Sequence, residues 1–184
     1  MDWQEHWDLV GKHAFLSPSQ YHWVNDDLKK LETRYFNYEA KKLGTELHEY
    51  AATAIRLRRK QPRNNDTVNR YINDALGFRM RPEQPLYFSR NCFGTADAIS
   101  FERSLLRIHD LKTGTVPANK TQVDLYEAIF CLEYMQDPHE IDSLLRIYQN
   151  NEIEEWSPDP DYISDLMTKI REFDAHLERL RSYD

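Results

Sequence analysis

Cysteine is nearly absent: Cys92 and Cys131 are the only two in the chain. That argues against a disulfide framework and rules out a four-cysteine zinc or iron–sulfur site within one chain. A reducing cytoplasm is the expected compartment, with both thiols acting as small buried hydrophobes. Positive charge is also in deficit, with 24 Lys and Arg against 31 Asp and Glu, a net charge of -7. Such a balance counts against a protein that coats nucleic acid by broad charge neutralisation. A local basic patch beside an acidic, metal-holding centre stays compatible with it. No run is long or apolar enough to span a membrane, and neither internal repeats nor low-complexity segments occur. The opening stretch MDWQEHWDLVGKH is acidic and amphipathic, unlike a secretory leader.

What is present describes a folded α/β protein. The 12% aromatic content argues against disorder, and 184 residues favour one domain with a real core. Ser17, Pro18 and Ser19 in FLSPSQYHWV look like a helix start. The stretch RYFNYEAKKLGTELHEYAATAIRLRRK predicts one long helix, with Leu43, Leu47, Ala51 and Ile55 forming an apolar stripe at a spacing of four. Gly44, Ala51 and Ala52 would allow close packing, and Pro62 is the expected stop. A short helix over Thr67 to Leu76, closed by Gly77, comes next. Three strand-like runs follow: PLYFSR, GTADAISF and SLLRIHDLKT. A helix, TQVDLYEAIFCLEYM, then precedes a strand, IDSLLRIYQ. The tail DYISDLMTKIREFDAHLERLR predicts a final packed amphipathic helix. This order predicts a mixed sheet with helices on both faces.

The chemistry lies in the strands. If GTADAISF and LLRIHDLKT form a hairpin joined by two residues (Arg103-Ser104) or four (Glu102 to Leu105), Asp97 faces Asp110 directly, at about 5 Å between Cβ atoms. An odd-length connection would bring His109 there instead and turn Asp110 to the other face. Facing carboxylates repel unless a cation lies between them, and a hard divalent ion held by oxygen is the natural one. Lys112 shares the face of Asp110, where its charge can stabilise an attacking water or a developing phosphate charge. The Leu111 carbonyl is a further potential oxygen ligand. His109 is expected on the opposite face in a structural role.

These residues resemble the PD-(D/E)XK nuclease superfamily, in particular its RecB-type and lambda-exonuclease-like branch. The motifs, in order, are LSPS at Leu16 to Ser19, GTELH at Gly44 to His48, Asp97 in GTADAI, Asp110 and Lys112 in DLK, and Gln122 and Tyr126 in QVDLY. The resemblance covers nearly the whole chain, with a motif-bearing core over about 15–135 and a strand and helix over 139–184 completing one domain. It implies a restriction-endonuclease-like mixed central sheet flanked by helices on both faces. It further implies a catalytic set of Asp97, Asp110, Lys112, Gln122 and Tyr126. The implied ligands to one or two Mg²⁺ or Mn²⁺ ions are His48, Asp97, Asp110 and Leu111, with Glu46, Glu49 and Glu83 as rivals. Arg56, Arg58, Arg59, Lys60, Arg63 and Lys120 become expected DNA contacts. The iron–sulfur cluster of many RecB-type relatives is absent here, as is any helicase motor. The implied protein is a small stand-alone nuclease of phage type, an exonuclease acting at DNA ends in recombination, repair or phage DNA processing. Its partners would be DNA, further copies of itself or a recombination protein, in the cytoplasm of a bacterial or phage-infected cell.

Each residue also has a plainer reading. Asp110 and Lys112 alone would be a strand-end ion pair. His48 alone would be a satisfied core histidine, and Gln122 and Tyr126 a helix edge. The basic run alone would be a solvated helix end. The competing functions are a catalytically inactive DNA-binding or scaffold protein on the same fold, and a partner-modulating module using the Trp3, Trp7 and Trp23 segment.

Overall fold

The computed structural model describes residues 13–181. Trp3, Trp7 and most of the acidic opening stretch lie outside the described residues. Length favours one domain; the chain divides into two compact units, 1–45 and 46–184. In the first unit, a 3-10 helix at Pro18–Asn25 begins after Ser17, whose hydroxyl meets Ser19 Oγ at 2.9 Å and makes no capping bond. Trp23 Nε1 donates to the Ser17 carbonyl at 3.0 Å, while Phe15 packs edge-on against Tyr35 with ring centres 5.3 Å apart. Asp26 takes Arg34 Nε at 2.6 Å and Lys30 Nζ at 3.0 Å, and these cations hold its carboxyl below the usual range.

Helix α1 spans Leu28–Arg56, so the unit boundary falls inside it. Of its expected apolar stripe, Ala51 and Ile55 are buried, Leu47 is half-buried and Leu43 is exposed. It ends well before Pro62. The Arg59 amide reaches back to the Ala54 carbonyl at 2.9 Å and Arg58 takes a left-handed φ of 53°. This is the geometry of a helix C-cap, here without glycine. Helix α2, Thr67–Gly77, is capped by Asp66, whose carboxylate accepts the Asn69 amide at 2.9 Å. Its left-handed terminal residue is Arg79 (φ 55°), with the Met80 amide bonded back to Ala75 at 2.8 Å; Gly77 does not supply the turn.

The strands are β1 Arg81–Ser89, β2 Cys92–Glu102, β3 Leu105–Leu111, β4 Asp142–Gln149 and β5 Glu152–Trp156. They form one mixed sheet in the order β1-β2-β3-β4-β5. β3 and β4 are parallel and the other neighbours antiparallel. Helix α3, Thr121–Glu133, makes the crossover that a parallel pair requires. β5 is an addition to the expected strands. It returns from β4 through Asn150-Asn151, both at positive φ (51° and 63°), a two-residue hairpin turn that asparagine suits. The β2–β3 turn is the two-residue Arg103-Ser104, with φ of 52° and 60°.

Alternation on β3 and β4 supplies two cores. One face, with Leu106, Ile108, Leu145 and Ile147, packs on Val123 and Ala128 of α3 and Ile163 of helix α4, Pro160–Arg181. The other brings Leu111 and Tyr148 against Ala51, Ile55, Tyr71 and Ile72. The fold is mixed α/β with helices on both faces, consistent with a restriction-endonuclease-like architecture. Contrary to the expected packing along its length, α4 buries only its first half; Phe173, Leu177 and Leu180 are exposed. Its second half is held by polar bonds instead, Asp174 and Glu178 receiving Ser89, Arg90 and Asn91 of the β1–β2 turn. Cys131 is buried as expected, whereas Cys92 is only half-buried; both are free thiols. Among the described residues no helix is long and apolar enough to cross a membrane.

Candidate metal centre

The two-residue turn decides the register. Ala98 and His109 are the last partners of the β2–β3 ladder, so Asp97 and Asp110, the next residue of each strand, lie at its end, near enough for the Asp97 carboxylate to raise Asp110. The ladder between β2 and β3 stops there, while β3 continues beside β4 to Leu111. The strands part at the carboxylates, and the Leu111 amide donates to Asp97 Oδ2 at 2.8 Å. Leu111 thus touches the expected ligand set through its N–H. On the far side of β2, Pro82 pairs with Ala98 and Gln84 with Ala96, which leaves Glu83 facing Asp97. Glu83, Asp97 and Asp110 therefore form a row across three adjacent strands.

Glu83, one of the rival ligands, groups with His48 and Asp97, whereas the strand-like run PLYFSR begins only after it. It lies within β1 at a left-handed φ of 51°, a conformation that costs a non-glycine residue about 1–2 kcal/mol. Such strain persists where surrounding structure imposes it, and it gathers at functional sites. A two-residue turn at Arg90-Asn91 would by itself set Gln84 opposite Asp97; a one-residue register shift between Tyr87 and Ser89 is what brings Glu83 there instead.

His48 enters from α1, its Nδ1 3.5 Å from Asp97 Oδ2. One ligand atom each from His48, Glu83 and Asp97 lie within 4.8 Å of one another. Asp110 is set differently. Its side chain is 3% exposed and lies 3.0 Å from Lys112 Nζ through Oδ2, yet that oxygen is buried without a well-formed hydrogen bond. Lys112 Nζ donates to Gln122 Oε1 at 2.8 Å and to Asp110 Oδ1 at 3.2 Å. Tyr126, one turn further along α3, lies so close to β2 that a Cβ on Gly94 would come within 2.9 Å of its ring. The glycine of GTAD is thus what lets α3 approach.

The charges are mutually perturbing. Burial, and then the Asp97 carboxylate, push both Asp110 and Glu83 above the ordinary carboxylate range, with Lys112 opposing the shift at Asp110. The hydrogen bond with Asp97 raises His48 against the opposing effect of burial. Burial raises the Tyr126 phenol, opposed by a hydrogen bond with Gln122. His109 takes the opposite face as expected. Fully buried, it packs on Phe78 and Tyr148, and desolvation with Arg146 and Arg107 nearby lowers it to about 3, so it is neutral.

The expected DNA contacts divide. Arg56 is exposed and near enough to Glu83 to bear on its ionisation. Arg58, Arg59, Lys60 and Arg63 are exposed, with no side-chain hydrogen bond or ion pair to a described residue. Lys120 is not free: Nζ pairs with Glu154 at 2.7 Å and lies 5.0 Å from the Trp156 ring centre. Strand β5 supplies both partners, and the ion pair is exposed. Glu46 and Glu49 are exposed on α1, outside the His48–Glu83–Asp97 group. Comparison with protein-family models, with curated proteins and with solved structures finds no match to this chain.

Proposed function

We propose that this chain is a metal-dependent nuclease of the PD-(D/E)XK kind, hydrolysing DNA phosphodiesters, with action at DNA ends as the favoured mode. The observation that carries the reading is the row of Glu83, Asp97 and Asp110 across three strands, with Lys112 held beside it by Gln122. The donor set fits a hard divalent cation. Carboxylate oxygens dominate it, one imidazole joins them, and the Asp110 Oδ2 atom is buried without a well-formed hydrogen bond. His48, Glu83, Asp97 and Asp110 would hold Mg²⁺ or Mn²⁺, with the Leu111 carbonyl as a further oxygen. When bound, such an ion supplies Lewis acidity toward a phosphate and its attacking water.

The chain's own groups do the rest. Lys112 is positioned by Gln122 to bear on the attacking water and on negative charge developing at phosphorus. Gln122 keeps the ammonium from collapsing wholly onto Asp110. Tyr126, fixed against Gly94, walls the α3 side. Arg56 and the exposed Arg58 to Arg63 run offer phosphate contacts that position a strand without reading its sequence. As the resemblance to the PD-(D/E)XK superfamily implies, water would displace the 3′-oxygen in line and leave a 5′-phosphate.

The test is digestion of linear and closed-circular DNA by wild type and Lys112→Ala, with Mg²⁺, Mn²⁺ or EDTA. The expected result is metal-dependent loss of linear DNA alone, abolished in the variant. Cutting of circles would keep the chemistry and discard the end requirement. Retained DNA binding without cleavage in either metal would refute the enzyme and favour a DNA-binding scaffold.

A further inference from the structure

The β2–β3 turn and the junction after α2 lie at the end of the sheet away from the carboxylate row. They bound a cavity of about 540 Å³. Its charged lining is Arg79, Arg103 and Arg107 against Glu102 and Asp142, with Phe78 as the aromatic wall. In a chain of net charge -7, three converging guanidiniums need a reason. Arg79 and Arg103 are exposed, and their side chains have no hydrogen bond or ion pair to a described residue. The Arg107 guanidinium lies 4.6 Å from the Phe78 ring centre, and its Nε is buried without a hydrogen-bond partner. Stacking of this kind fixes the plane of the fork before any ligand arrives.

The backbone points the same way. Arg79 and Arg103 both adopt left-handed conformations, φ 55° and 52°. Helix ends and two-residue hairpins ordinarily place glycine or asparagine at such positions. The β4–β5 turn of this same chain does so with Asn150 and Asn151. The end of α1 also carries a left-handed arginine, Arg58, so the conformation is not peculiar to the cavity; what is particular to it is that two such arginines line it together with Arg107. Planar guanidinium forks match the oxygens of phosphate bidentately.

We infer that this cavity is a second phosphate-binding site, and that its ligand is the nucleic-acid backbone. The pocket stands on its own geometry; the choice of nucleic acid as the ligand rests on the nuclease reading. Along β3 the five steps from Leu105 to Asp110 span about 17 Å, about five base-pair rises of a duplex. The site would therefore hold a duplex at a fixed distance from the carboxylate row.

The experiment uses a variant that a purely structural role would favour: Arg79→Gly combined with Arg103→Gly. Glycine relieves both left-handed positions, so thermal stability should hold or rise. Binding of a fluorescein-labelled duplex of about 20 base pairs is read by anisotropy in EDTA, across a salt series. The expected result is about tenfold weaker binding at low salt and a slope of log K on log salt shallower by about 2. A parallel arm measures competition by inorganic phosphate at constant ionic strength. Lost competition with an unchanged duplex slope would support the phosphate site but assign it to a terminal phosphate. Unchanged duplex affinity, slope and phosphate competition in a folded variant would overturn the inference. Cleavage in Mg²⁺ is scored separately. An inactive protein whose duplex affinity still depends on the two arginines would sink the nuclease reading alone.

Discussion

Glu127 offers a quantitative test of the packing around α3. It is 2% exposed, and its Oε2 is buried with no hydrogen-bond partner. Burial, with Asp124 one turn away, raises its carboxyl to about 7, against an opposing hydrogen bond from Ser143. An ordinary glutamate titrates near 4.5. A folded-state value above the unfolded one means that the folded protein holds the proton longer. The associated stability is complete below pH 4.5, declines as pH rises, and is gone above about 7. At ~1.4 kcal/mol for each pH unit of separation, ionised Glu127 costs the fold about 3 kcal/mol. Glu127→Gln keeps the shape and the acceptor for Ser143 and removes the charge. Urea unfolding of wild type and variant at pH 4.5 and pH 8 measures the difference, in which other titrating groups largely cancel. The variant should match wild type at the lower pH and exceed it by about 3 kcal/mol at the higher. Equal differences at the two pH values would show that Glu127 ionises freely in the fold, and the account of α3 burial would fall.

Gly94→Ala should lower the midpoint of thermal unfolding, at a cost of about 1–3 kcal/mol, because the new methyl meets the Tyr126 ring at 2.9 Å. Most of the loss should be recovered in the double variant with Tyr126→Ala, and a Gly94→Ala protein as stable as wild type would contradict the close approach. Mn²⁺ at about 100 times its dissociation constant should stabilise wild type by about 2.7 kcal/mol, read by thermal shift. Asp97→Ala should abolish that gain, since it removes the carboxylate shared by His48 and Glu83 and deprives the Leu111 amide of its acceptor. A metal response that survives in Asp97→Ala would place any bound ion elsewhere.

Much of the site was legible before the fold. Strand period alone sets Asp110 and Lys112 on one face and His109 on the other, because successive side chains must alternate. The spacing of Gln122 and Tyr126 sets both on one side of α3. Other features were out of reach of local pattern. Arg58 and Arg79 follow their helices in left-handed conformations for which glycine is the usual signal; α1 stops short of Pro62, whereas α2 does end at Gly77 as expected. The unexpected β5, a short edge strand of mostly charged residues, brings Glu154 and Trp156 to Lys120, contacts that local pattern does not show.

The sequence by itself determined the order of the elements other than β5, the two-faced sheet and the alternation that puts Asp97 within one register choice of Asp110. Only the tertiary structure decided that choice, through a two-residue turn that holds Arg103 and Ser104 at positive φ. It also added Glu83, whose place is set by pairing between β1 and β2 rather than by its neighbours in sequence. The physical reason is one of range. Periodicity follows from a few adjacent backbone torsions, whereas a carboxylate row across three strands depends on two hairpin registers at once, and each register is settled by turn geometry and by the core beneath it.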